Sequence, residues 1–380
     1  MKDNKTFQYL LIGAALLVLP LVLQLFGNAW VRIADVALLY VLLALGLNIV
    51  VGYAGLLDLG YVAFFAVGAY MYALLSSPHL LDTFPALAVY FPNGMHMPLW
   101  VIVPLGAALA GLFGMLLGAP TLKLRGDYLA IVTLGFGEII PEVFRNGDDI
   151  AGVNITNGNL GIAPVDKIMF GSVELGPFDT DLKFVIYAAL TALVLTLSLR
   201  LRDGRLGRAW LAIREDELAA SMMGVPLMRT KLAAYAVGAT AGGIGGVAFS
   251  THIGAVLPDR FQFAISIILL AMVVLGGMGN VWGVLVGALF LAWFNSTGLK
   301  QIGVTINQIA GTDFDFTTLT FLLFGMALIL MMLFRREGFF PEARTKAIMQ
   351  EPERSELEAH GAQAEYAEAE EHVHAPSEEG

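Results

Sequence analysis

An all-α, polytopic transmembrane helical bundle of about ten spans, with N- and C-termini in the cytoplasm, is the architecture this 380-residue sequence predicts. The solvent it implies is lipid: 57% of the residues are hydrophobic and 14% charged, at a mean hydropathy of +0.72, whereas a soluble domain carries about 25% charged residues. Apolar runs recur at the length that about 30 Å of hydrocarbon demands, roughly 20 residues per helix. Between them, Lys and Arg concentrate on alternate loops, the pattern that orients a bundle.

The spans, in order, are 7–27, 33–51, 60–76, 99–118, 128–144, 182–200, 231–251, 263–278, 281–297 and 319–334. The first follows Lys2 and Lys5. It is long for a signal peptide and no small-x-small cleavage site follows it, so it reads as an uncleaved span. Lys123 and Arg125 lie between the fourth and fifth spans. Arg200, Arg202, Arg205, Arg208, Arg214, Arg229 and Lys231 crowd the loop after the sixth, and Arg335, Arg336, Arg344 and Lys346 follow the last. Threading ten spans from a cytoplasmic N-terminus puts every one of these clusters inside. The opposite loops, 77–98, 145–181, 252–262 and 298–318, are sparse in Lys and Arg. Gly276, Gly277 and Gly279 mark either a turn between the eighth and ninth spans or a kink in one helix.

Residues 1–340 read as one transmembrane domain and 341–380 as an acidic cytoplasmic tail. The formal net charge of −10 belongs almost wholly to residues 351–380, where ten Glu face Arg354 alone. That segment alternates Ala and Glu with no apolar face, a composition that does not repay its ordering entropy. His372 and His374 are a lone pair in such a tail and make no metal site.

The chain has no cysteine, which removes disulfides, thiolate catalysis and cysteine metal sites together. No G-x-x-x-x-G-K-[ST] occurs to cradle nucleotide phosphates, and no H-E-x-x-H or G-x-S-x-G either. No catalytic constellation, bound cofactor, metal or nucleic-acid partner is expected.

The loop at about 201–230 carries the strongest functional signal. In GRAWLAIREDELAASMMG, Gly207 to Gly224, Trp210, Ile213, Glu217 and Ala220 share one helical stripe, and Leu211, Leu218 and Met222 another. Such a helix touches something on both faces, or breaks near Arg214-Glu215-Asp216 into two pieces. Wedged between the membrane body and a soluble partner, it would dock that partner through Arg214 and Glu217, with Gly224 as a turn-permissive end. An amphipathic helix resting on lipid headgroups is the other reading.

Two further places stand out. Gly52, Gly55 and Gly60 bracket Asp58 between two spans; they permit close packing, a plain turn, or an unwound segment lining a cavity. Asp58 either lies in that segment or caps the next helix at the cytoplasmic edge. Glu138 lies roughly 16 Å past Asp127 along a helix, with Gly135 one turn before it and Glu142 one turn beyond. An ionisable group at that depth faces a polar passage or a partner helix; otherwise it sits at the outer interface beside Arg145.

Ala219-Ala220-Ser221-Met222-Met223-Gly224 resembles the A-A-x-x-x-G core of the coupling motif in ABC importer permeases, with Glu217 one place earlier than the motif's Glu. Beside it stand LGLNIVVGYAGLLDLGYVAFFAVGAY (Leu45 to Tyr70), LRGDYLAIVTLGFGEII (Leu124 to Ile140) and LGGMGNVWGVLVGA (Leu275 to Ala288). In that order these resemble the branched-chain amino-acid permeases of the LivM type over most of residues 33–335. The resemblance implies a bacterial inner-membrane subunit paired with a homologous LivH-type permease above two cytoplasmic ATPases of LivG/LivF type, which use ATP and Mg. A periplasmic binding protein would deliver leucine, isoleucine or valine. It also implies that Arg208, Trp210, Arg214, Glu217, Ala219, Ala220 and Gly224 form the ATPase-coupling loop. Gly52, Gly55, Asp58, Gly135 and Glu138 are the candidate translocation pathway. A permease for urea or short amides is the nearest alternative; a stand-alone secondary transporter would need more buried carboxylates than Asp58 and Glu138.

Overall fold

A computed structural model describes residues 20, 22–25 and 27–340, apart from 93–94, 125, 171–172, 176–179, 312–314 and 336–337. The expected span 7–27 and the tail 341–380 lie outside, or almost wholly outside, the described residues. The rest is built from helices: α1 (Asn28–Asn48), α2 (Val62–Leu75), the short α3 (His79–Thr83) and α4 (Pro85–Ala88), α5 (Leu99–Thr121), α6 (Asp127–Arg145), α7 (Thr180–Asp203), α8 (Arg205–Glu215), α9 (Glu217–Met222), α10 (Leu227–Ile253), α11 (Phe263–Gly276), α12 (Val281–Trp293), α13 (Leu299–Ala310) and α14 (Thr320–Phe334). A two-stranded hairpin, β1 (Ile168–Phe170) with β2 (Val173–Leu175), is the one sheet among the described residues.

Six of these segments are long and apolar enough to cross a membrane: Asn28–Tyr53, Leu99–Thr121, Leu182–Asp203, Leu227–Ile253, Pro258–Gly276 and Val281–Ile309. α2 and α14 are apolar but short. At 1.5 Å per residue, the 14 residues of α2 span about 21 Å, less than the hydrocarbon thickness. α6 is amphipathic, with buried Leu129, Ala130, Thr133, Gly137 and Ile140 on one side. The expected loop 298–318 is helical as far as Ala310, because a π-helical turn, Phe294–Gly298, joins α12 to α13 without a break.

α10 is the hub, packed against α5, α2 and α1. Glycines permit the approach: a Cβ on Gly243 would sit 2.6 Å from both Ala110 Cβ and Gly106 O, where α5 crosses. Small residues replace the hydrophobic drive that lipid does not supply between helices. Around this crossing, Tyr61, Phe64 and Tyr235 meet edge to face. α7 packs on α1, and α12 packs between α1 and α11. Gly277 and Gly279 adopt φ of 114° and 88°, so the glycine run makes a turn between two helices. Asn280 closes that turn by capping α12, its Oδ1 accepting from Trp282 N at 3.1 Å.

The bundle has two distinct ends. At the far end, Ile162 and Val256 pair their backbones, Asp166 N donates to Ser76 O at 2.7 Å, and Arg145 pairs with Asp259 at 2.8 Å. Loops 76–98, 145–166 and 252–262 therefore share that end. At the basic end, α8 adjoins residues 52–55 through Arg214, and Gly279 N donates to Asn48 Oδ1 at 2.9 Å.

Candidate functional site

The loop between α7 and α10 folds as two helices meeting at Asp216. Its Oδ1 accepts from Leu218 N (2.8 Å) and Ala219 N (2.9 Å), capping α9. Asp216 ends one helix and starts the next, which is why Arg214-Glu215-Asp216 is a break. α9 closes through Gly224, at φ 84°: Val225 N donates to Ala220 O, and Gly224 N to Ser221 O. That paired 6→1 and 5→2 pattern is the Schellman motif, which needs a left-handed residue at this position.

The two stripes part in the second helix, while Leu211 in the first is only half-buried. Trp210 is fully buried and Nε1 donates to Thr230 O at 2.8 Å; Ile213 and Ala220 are buried beside it. Glu217 belongs to this inner side, 2.7 Å from Lys231 Nζ on the first turn of α10, whose side chain is almost wholly buried. Arg214 turns inward as well: Nη1 donates to Gly52 O at 2.5 Å. On the other side Leu218, Met222 and Met223 are 67, 78 and 85% exposed. Ala219 and Arg208 are exposed too, Arg208 donating to Asp203 O. Arg214 and Glu217 thus hold the loop to the membrane body, and the apolar trio faces away from it.

Beneath Arg214 the chain is unwound. α1 runs into a π-helical turn, Ile49–Tyr53, and residues 54–61 form no α-helix before α2 begins. Gly55 has φ 68°, and a Cβ there would meet Arg214 Cγ at 2.9 Å. Gly52 packs so closely on Asn48 and on Gly279 N that no side chain fits. The segment enters the bundle: Leu59 N donates to Thr133 Oγ1 (3.1 Å), Gly60 lies against the backbone of Thr133, and Tyr61 donates to Gly238 O (3.1 Å). Asp58 is 2% exposed, so it does not cap α2 at an aqueous edge. Its Oδ1 accepts from Gly60 N at 2.9 Å; Oδ2 lies close to the hydroxyl of buried Tyr235, without a well-formed hydrogen bond between them.

Glu138 lies elsewhere. It is exposed on the outer face of α6 with Tyr128, Ile131 and Ile139, and nothing lies within 4 Å of a Cβ built on Gly135 one turn before it. Arg145 pairs with Glu142 and Asp259, not with Glu138. The five pathway candidates therefore divide: Gly52, Gly55 and Asp58 join the unwound segment, while Gly135 and Glu138 line an uncovered helix face. Asp216 and Lys231 carry the geometry of the loop without having been singled out as candidates. A Asp directly before a helical run is an N-cap signal, whereas nothing in the spacing marks Lys231 as Glu217's partner. Among the described residues no cluster of three or more His, Cys, Asp or Glu is placed to hold a metal.

A family model described as branched-chain amino acid transport system / permease component matches residues 30–333. The high-affinity branched-chain amino acid transport system permease protein LivM of Escherichia coli is 37% identical over 364 residues, covering 90% of this chain and 77% of that protein. A probable LivM of Methanocaldococcus jannaschii is 27% identical over 80% of this chain and 91% of its own length. The LivH permease protein of Escherichia coli is more distant, at 22% over 66% of this chain and 79% of that protein. No solved structure matches. With the family model spanning nearly the whole helical body and LivM 37% identical over the aligned 364 residues, this chain belongs to the branched-chain amino-acid transport permease family.

Proposed function

We propose that this chain is the membrane subunit of an ATP-driven importer that moves leucine, isoleucine and valine across a bacterial inner membrane. Residues 1–340 form the permease domain, and the basic end faces the cytoplasm with both termini. A homologous LivH-type permease completes the passage, two LivG/LivF-type ATPases bind below it and use ATP and Mg, and a periplasmic binding protein supplies the substrate. Family membership supports the transport class. One structural observation supports the coupling role: Leu218, Met222 and Met223 expose apolar side chains on a capped, braced pair of helices. Contiguous apolar exposure rimmed by polar groups marks an interaction surface, and these residues are anchored from behind by Trp210 and the Glu217–Lys231 pair.

Glu138 supports a partner on α6. A carboxylate at mid-helix against lipid costs about 3 kcal/mol, and a second permease or the passage itself removes that cost. The direct test is affinity purification of the tagged complex. The ATPases should co-purify, and Leu218→Asp with Met222→Asp should lower their recovery tenfold or more at equal membrane insertion. Undiminished recovery overturns the docking assignment. The ligand held by the co-purifying binding protein separates branched-chain amino acids from urea or short amides.

A further inference from the structure

The coupling helices are tied to the interior by Arg214, through a part of the chain that is not helical. Its guanidinium donates to Gly52 O, at the end of the π-helical turn, and its stem lies against Gly55. From there residues 56–61 run inward to Thr133 on α6 and Gly238 on α10. Gly60 and Gly137 stack backbone on backbone, a Cβ on Gly137 falling 3.0 Å from Gly60 Cα. A continuous set of contacts therefore leads from α8 through the unwound segment to α6, the helix that carries Glu138.

We propose that Arg214 is a positioning residue for transport: it fixes the unwound segment to α8, so that a shift of α8 moves the segment and, through Gly60, moves α6. The proposal rests on the importer reading above. An independent observation bears on where the segment can move. Asp58 Oδ2 and the Tyr235 hydroxyl are both buried and close enough to interact, yet no well-formed hydrogen bond joins them. Leaving two such groups unmade inside a bundle is costly. A small displacement of residues 56–60 would complete that bond, and Gly55 and Gly60 give the backbone the freedom to make it.

The experiment uses the assembled complex in proteoliposomes, with its binding protein and labelled leucine, and measures leucine taken up per ATP hydrolysed. Arg214→Met keeps the stem against Gly55 and removes the donor to Gly52. It should retain the ATPases and their hydrolysis while uptake per ATP falls about tenfold, and Arg214→Lys, which restores a donor, should recover part of the loss. A wild-type ratio for Arg214→Met overturns the proposal. So does loss of the ATPases from that variant, which makes Arg214 a docking contact. Tyr235→Phe keeps the ring packing and deletes only the hydroxyl; it should also lower uptake per ATP, and a wild-type ratio there removes the second position. Failure of the importer reading is separate: the unmodified chain would then co-purify with no ATPase.

Discussion

The loops of the far end brace one another, while those of the basic end are tied to the helices. Residues 147–156 close on themselves through Gly147 O, Thr156 Oγ1 holds Phe144 O at 2.6 Å, and His79 and Thr83 reach the backbone of Ile155 and Asn154. Ile162 pairs with Val256, and Arg145 joins α6 to Asp259. Removing one tie leaves the rest. At the basic end the unwound segment answers to Arg214 on one side and to Thr133 and Gly238 on the other, with a buried carboxylate left half bonded between them. The far end holds itself through several such ties, whereas the unwound segment is held by a few bonds to three different helices, the kind of region that opens more readily.

The hub between the two ends should be the least forgiving. Gly243→Leu puts a side chain where Ala110 and Gly106 already stand at 2.6 Å from a Cβ. Overpacking of that kind costs about 3 kcal/mol or more when backbone must move. The variant should fail to accumulate as folded, membrane-inserted protein in a detergent-resistance assay. Normal accumulation would mean that α5 and α10 separate easily, and that the ends are less distinct than they look.

A smaller effect is expected at Glu138, where function changes and folding does not. Glu138→Gln keeps size and hydrogen bonding and should transport nearly as wild type. Glu138→Leu leaves any facing polar group unmet, worth about 1–3 kcal/mol, and uptake should fall roughly tenfold at equal insertion. Equal rates for the two variants would place the exposed face of α6 against lipid headgroups or water instead of a partner or passage.

The sequence made some of this plain and hid the rest for physical reasons. The two stripes of the 205–222 helices were legible because burial there follows the 3.6-residue period: Trp210, Ile213 and Ala220 went inward, Leu218 and Met222 outward. The direction of Arg214 was not. A charged residue on a basic loop reads as facing water or a partner, and its long stem lets the guanidinium reach back to Gly52. The unwound segment was half legible: the gap between spans 33–51 and 60–76 was visible, but its glycines left packing, a turn or an unwound stretch open, since an unwound backbone inside protein needs the same apolar side chains as a helix. Hydropathy alone does not separate full crossings from shorter or amphipathic helices: α6 is amphipathic and α14 is 15 residues long.

The smallest effect should come from the far-end ion pairs. Arg145 donates to both Glu142 and Asp259, but Glu142 and Asp259 have more than half their side-chain surface in solvent, where salt and water compete for the charges. Arg145→Gln removes both pairs and keeps a donor of similar reach. The α6 terminus stays anchored without it: Asn146 donates to Glu142 O at 2.9 Å, and Thr156 still binds Phe144 O. Uptake should change less than twofold, and limited proteolysis of residues 147–160 should proceed at the wild-type rate. A large loss would mean that the far end depends on this one residue and is less redundantly braced than its other bonds suggest.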